Sequence, residues 1–259
     1  MPGQPMADPS VEIRPGVFRP DWSAITRHAA RKALLGRMTA RAGLLDRWSC
    51  SLEPDQDLVW RTTLQLYAKY GRAPSTIELA ADVDIAVDRL TDLLAELDGR
   101  DQIGFERATA RIRWAYPFTE ANTGHRVELN GQTLRALCAI DALGVAAMYR
   151  ADTTITSPCR HCGTTVSITT AAAGRALAHV YPSDATVWYD FAYEGRAAAS
   201  CCPSIAFFCS AAHLQSWKDS SQAPRVGIAL SMDEALELGR AIFGPVLAPL
   251  DPRVPFNAE

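Results

Sequence analysis

The pattern that most constrains this chain is a change of period near residue 102. From Asp21 to Asp101 apolar residues recur at helical spacing, and from Ile103 onward short runs broken by turn residues take over. A helical module followed by a segment that mixes strands and helices is read as an α+β fold. At 259 residues there is material for one large domain or two modest ones.

Taken in order, residues 1–20 carry Pro2, Pro5, Pro9, Pro15 and Pro20, have no usable periodicity and are expected to form a flexible lead-in. Residues 21–118 are expected to form a helical, winged-helix-like module preceded by an extension helix. The extension helix runs from Trp22 to Trp48 and shows a basic face of Arg27, Arg31, Lys32, Arg37, Arg41 and Arg47, read as a solvated face packed on the next domain. Three helices follow, at Leu58–Tyr70, Ser75–Asp82 and Ile85–Leu97, with Ser75-Thr-Ile-Glu78 as a capping box, and then strands near Ile103–Phe105 and Arg111–Tyr116. Residues 119–245 should mix strands and helices. A strand ends in the Asn130-Gly131 turn, and the apolar run Leu134–Leu143, free of Gly and Pro, is expected to be helical. Further strands are expected at Thr153–Ser157, Thr164–Thr169, His179–Val180, Thr186–Tyr193 and Ile205–Phe208, with helices at Ala211–Trp217 and Ser231–Phe243. Residues 246–259 should be a surface tail.

A formal charge of -3 argues against a nucleic-acid partner. The three-helix outline invites a DNA-binding reading, but Asp84, Asp88, Asp92, Glu96, Asp98 and Asp101, set against Arg89 and Arg100, would repel phosphates where a recognition helix should lie. No apolar run reaches about 18 residues, so no membrane partner is expected. Residues 1–20 lack the apolar core of a secretory signal. A cytoplasmic location follows as the expectation, with the seven cysteines reduced and available for metal binding or catalysis.

Two groups of residues carry chemistry. Cys138 and Asp141 are three apart, which on a helix puts thiol and carboxyl on one face. With a second thiol from Cys201, such a set could bind a soft metal ion and protonate what is attached to it. The spacing alone is a weak signal, because a core cysteine beside a surface aspartate gives the same pattern. The second group is Cys159-Arg-His-Cys162 with Cys209 and His213. A C-x-x-C turn followed by Gly163 is half of a familiar zinc site, and Cys209 and His213 are four apart at a helix start, so together they form a candidate structural Cys3His zinc set. His161 inside the turn is expected to be exposed. Cys50 is read as filler, and His28, His125 and His179 as ordinary surface or hydrogen-bonded residues. Phosphate-binding loops, nucleophile elbows and H-E-x-x-H are absent, which sets nucleotide-dependent, serine-hydrolase and zincin readings behind the others.

In combination, Leu137-Cys-Ala-Ile-Asp-Ala-Leu143, Ser157-Pro-Cys159, Ala199-Ser-Cys-Cys202 with Phe207-Phe208, and Glu234-Ala-Leu-Glu-Leu-Gly-Arg240 resemble the organomercurial (alkylmercury) lyase family over roughly Leu58 to Pro245. The resemblance implies protonolysis of a carbon–mercury bond to a hydrocarbon and Hg(II), with Cys138 and Cys201 on the mercury and Asp141 delivering the proton. It also implies a structural role for Cys159 and a dispensable one for Cys202. The substrate would be an organomercurial, Hg(II) the bound product, and small thiols or a mercuric reductase its acceptor. Cys162 and Cys209 are additional to the family pattern, and Pro203-Ser204 replaces a histidine-containing stretch. Two other readings use the same residues: a non-catalytic soft-metal sensor, and a homologue acting on a non-mercury substrate.

Overall fold

The computed structural model describes residues 9, 11–14, 16–40 and 44–249; the start of the expected lead-in, the middle of the extension helix and the tail from residue 250 lie outside these. Where a lead-in without periodicity is expected, strands β1 (Val11–Arg14) and β2 (Val17–Arg19) pair antiparallel. What holds them is tertiary. Ile13 and Arg14 are fully buried, and the Arg14 guanidinium meets Asp57 at 2.6 Å and the carbonyl of Val246 at 2.9 Å. Val246 itself is fully buried, so the expected surface tail starts packed against the core, and the chain reaches the surface by Pro249.

Within the expected extension helix the described residues form a 3-10 turn at Trp22–Ala24, α1 (His28–Ala40) and α2 (Leu44–Trp48), and residues 25–27 are not helical. Then come α3 (Pro54–Tyr70), α4 (Thr76–Val83) and α5 (Val87–Gly99). Ser75 caps α4 in the capping box its sequence announces, and Gly71, at φ +70, closes α3 in the left-handed conformation that glycine adopts without strain. Strands β3 (Ile103–Glu106), β4 (Arg111–Ala115) and β5 (Phe118–Thr119) form an antiparallel sheet beside these helices.

Next, β6 (Arg126–Leu129) turns through Asn130 and Gly131, both at positive φ as a tight hairpin requires, into β7 (Gln132–Arg135). Helix α6 (Ala139–Tyr149) follows, then β8 (Thr154–Pro158), β9 (Thr165–Ala171), β10 (Ala176–Tyr181) and β11 (Thr186–Asp190). The chain closes with β12 (Ala206–Phe208), α7 (Ala211–Asp219), β13 (Gly227–Ser231) and α8 (Met232–Phe243). One sheet has the order β10-β9-β8-β6-β7 and another β12-β11-β13, both antiparallel. The fold class is α+β, as expected.

Helix α6 is buried on nearly every side and crosses α8 at close range. A Cβ on Gly239 would sit 2.9 Å from the Gly144 amide nitrogen, and one on Gly144 would sit 2.2 Å from Phe243 Cδ2. Two glycines therefore set how near these helices lie. Just ahead of α1 the exposed Arg27 meets the buried Glu237 of α8 at 2.5 Å.

Candidate active site

The Leu134–Leu143 run is not one helix. The tight turn at Asn130-Gly131 obliges the residues after it to pair as a strand, so β7 takes Leu134, and Cys138 falls at the N-cap of α6 with extended backbone (φ -150, ψ 176). Its Sγ accepts from the backbone N–H of Asp141 at 3.4 Å. Cap geometry, not a shared helical face, thus relates thiol to carboxyl.

The second thiol comes from the turn before β12. Ala139 N–H donates to the Ile205 carbonyl at 3.1 Å and Cys202 N–H to the Ala197 carbonyl at 3.0 Å, and these bonds hold the turn against the start of α6. Cys202 begins a 3-10 turn through Ser204, and its sulfur joins Cys138 and Asp141 in a group whose ligand atoms all lie within 4.8 Å of one another. Cys201 is fully buried but does not join that group; its sulfur lies 3.7 Å from the Ala197 carbonyl. Of the two adjacent cysteines, the one the resemblance implies to be dispensable is the one the fold brings to Cys138 and Asp141.

Burial dominates the electrostatics. A thiolate at a helix N-terminus gains from the helix dipole, yet desolvation outweighs that gain and pushes Cys138 up to about 11. Cys202 is pushed well above the usual thiol range, first by its hydrogen bond to Cys138, with burial and the Asp141 charge adding. Both sulfurs therefore hold their protons at neutral pH until something displaces them.

Cys202 also lines a cleft of about 310 Å³, together with His125, Leu137, Pro158, Arg160 and Pro203. His125 is buried, bonds Ser157 Oγ through Nδ1 at 2.9 Å, and is held neutral, its pKa lowered to about 4 by burial and then by the Arg160 charge. The sequence leaves it as a surface or a hydrogen-bonded residue, and the fold makes it the second; its place on the cleft carries no sequence signal. A larger cleft of about 470 Å³, lined by Glu128, Gln132, Asp152 and neighbouring residues, contains no thiol.

The second expected group is also brought together. Cys159, Cys162, Cys209 and His213 place one ligand atom each within 4.8 Å of the others. The His161 ring lies 5.0 Å from that of His213 and outside that set. Cys50 is exposed and apart from both groups.

Among the described residues no helix is long and apolar enough to cross a membrane. Residues 118–244 match the family model of alkylmercury lyase. The chain is similar to the alkylmercury lyase of Staphylococcus epidermidis, 33% identical over 126 residues that make up 48% of this chain and 56% of that protein. Its likeness to the alkylmercury lyase of Streptomyces lividans is 32% identity over 111 residues, 43% of this chain and 49% of that one. The chain thus spans about half the length of these relatives. In fold it resembles a solved structure described as the mercury-bound form of MerB2, at a TM-score of 0.62 and 24% identity, over 78% of this chain and 95% of that one.

Proposed function

This chain belongs, through residues 118–244, to the alkylmercury lyase family, and on that premise we propose that it breaks the carbon–mercury bond of an organomercurial by protonolysis. The observation that carries the reading is the group of two buried thiols and one carboxylate, all within 4.8 Å, with one thiol opening on a cleft.

In the proposed sequence R–Hg⁺ enters the cleft and meets Cys202 first. Mercury displaces the thiol proton, which leaves with the carrier thiol or solvent, and a sulfur–mercury bond forms. Cys138 then passes its proton to the Asp141 carboxylate and donates its sulfur to mercury, giving an anionic three-coordinate R–Hg(S)₂ centre. Electron density from two thiolates weakens the bond to carbon. The Asp141 carboxylic acid delivers its proton to that carbon as the carbon–mercury bond breaks, so R–H leaves, Hg(II) stays between the sulfurs, and the carboxylate is restored. Every proton used is one the resting site already holds, and no organic cofactor is required. Small thiols or a mercuric reductase would collect the Hg(II), and a cytoplasmic setting would supply the former.

The experiment is turnover of phenylmercury in excess small thiol, following benzene, for the wild type and for Cys138→Ser, Asp141→Asn, Cys202→Ser and Cys201→Ser. Benzene over many cycles, lost in the first three variants, supports the mechanism. Stoichiometric mercury capture without benzene makes the chain a soft-metal-binding protein. Binding of neither points to a non-mercury substrate.

A further inference from the structure

We propose that Cys159, Cys162, Cys209 and His213 form a closed structural zinc site that braces the wall of the cleft, a role separate from the carbon–mercury chemistry. Three thiols and an imidazole, with no open position, are the donor set of structural rather than catalytic zinc.

The spacing fits an ion at the centre. Two sulfurs at about 2.3 Å from a tetrahedral zinc lie about 3.8 Å apart, and a sulfur and a nitrogen about 3.5 Å apart. Cys162 Sγ and Cys209 Sγ are 3.7 Å apart, too far for the roughly 2.05 Å of a disulfide. His213 Nδ1 lies 2.9 Å from Cys209 Sγ and 4.0 Å from Cys159 Sγ, straddling the tetrahedral value.

The backbone is shaped to present them. Cys159 N–H donates to the Thr164 carbonyl at 2.7 Å and Gly163 N–H to the Cys159 carbonyl at 2.9 Å, forming a tight loop that Gly163 closes at φ +77. Ser210 caps α7 and so fixes His213 in the first turn, beside Cys209 at the end of β12. The ion would join the β8–β9 turn to the β12–α7 junction. Pro158 and Arg160 flank Cys159 and line the cleft, and Arg160 N–H donates to the Phe207 carbonyl at 2.9 Å. Clamping Cys159 therefore sets where that wall stands.

The test is metal analysis of the full chain, purified from zinc-supplemented cells and never exposed to a mercurial, which keeps its outcome independent of lyase activity. About one zinc per chain is expected, lost in Cys162→Ser and Cys209→Ser and kept in Cys138→Ser and Cys202→Ser. His213→Cys, which restores four donors, should retain the ion. Cobalt(II) in its place should show the visible absorption of a tetrahedral thiolate centre. Chelation should lower Tm, and zinc should restore it. The proposal is overturned by zinc-free wild type, by equal zinc in Cys162→Ser and Cys209→Ser, or by zinc that disappears with Cys138 or Cys202 instead. If those serine variants do not fold, the cobalt spectrum of the wild type decides: a spectrum without thiolate-to-cobalt charge transfer overturns the site.

Discussion

The backbone N–H of Asp141 donates to the sulfur of Cys138 at 3.4 Å, so the residue proposed to carry the proton also steadies, through its own amide, the thiol that supplies it. Because the contact is made by main chain, replacing the carboxyl leaves it in place. Asp141→Asn should therefore keep mercury binding while turnover falls by roughly 10²–10⁴-fold, the usual weight of a positioned acid. Mercury titration beside benzene release checks this; loss of binding in step with turnover would contradict it.

Cys202 and Cys201 should separate cleanly. Cys202→Ser is expected to abolish multiple turnover, whereas Cys201→Ser, with its sulfur outside the group, should retain most of it. The reverse result would return the role to Cys201.

Cys138 is pushed up to about 11 by burial, so between the unfolded thiol pKa of about 8.5 and 11 the folded chain holds a proton that the unfolded chain has lost. Stability should fall as pH rises through that window, less so in Cys138→Ala. At pH 7.5 iodoacetamide should modify exposed Cys50 before Cys138. Peptide mapping of the alkylated protein reads the order.

His125 works in the opposite sense. Its pKa is lowered to about 4, so the unfolded imidazole, near 6.5, binds a proton that the folded one refuses, and stability is lost as pH falls from about 6.5 to 4. The difference amounts to roughly 3 kcal/mol for a fully buried ring. Urea midpoints from pH 7 to 4 should fall less steeply in His125→Gln than in the wild type.

Gly144→Ala should destabilise by about 1–3 kcal/mol, because its methyl would meet the Phe243 ring at 2.2 Å. Gly239→Ala should do at least as much harm, since the obstacle there is backbone. Denaturant midpoints with unchanged m-values would report this.

Much of the fold was legible because its signals are local. Ser75 and Ser231 mark their helices with capping boxes, Asn130-Gly131 marks a hairpin, and the C-x-x-C-G loop with Cys209 and His213 marks a group the fold does assemble. What escaped depends on distant partners. β1 and β2 are held by Asp57 and Val246, far away in sequence, and β13 finds its place only against β11. The start of α6 was misread because apolar Leu134 suits a strand and a helix alike; the turn ahead of it held the answer. Between Cys201 and Cys202 the resemblance favours Cys201, whereas the turn geometry groups the Cys202 sulfur with Cys138 and Asp141.

Strand β5 has a wider consequence. It opens the segment that matches the family model, yet it hydrogen-bonds to β4, which precedes that segment, while Phe118 also bridges to Ala136 within it. A border drawn by ancestry thus cuts through a hydrogen-bonded sheet. The matched segment produced alone would expose an unpaired edge and lose the helices that cover its neighbours, so sequence kinship and autonomous folding have different limits here.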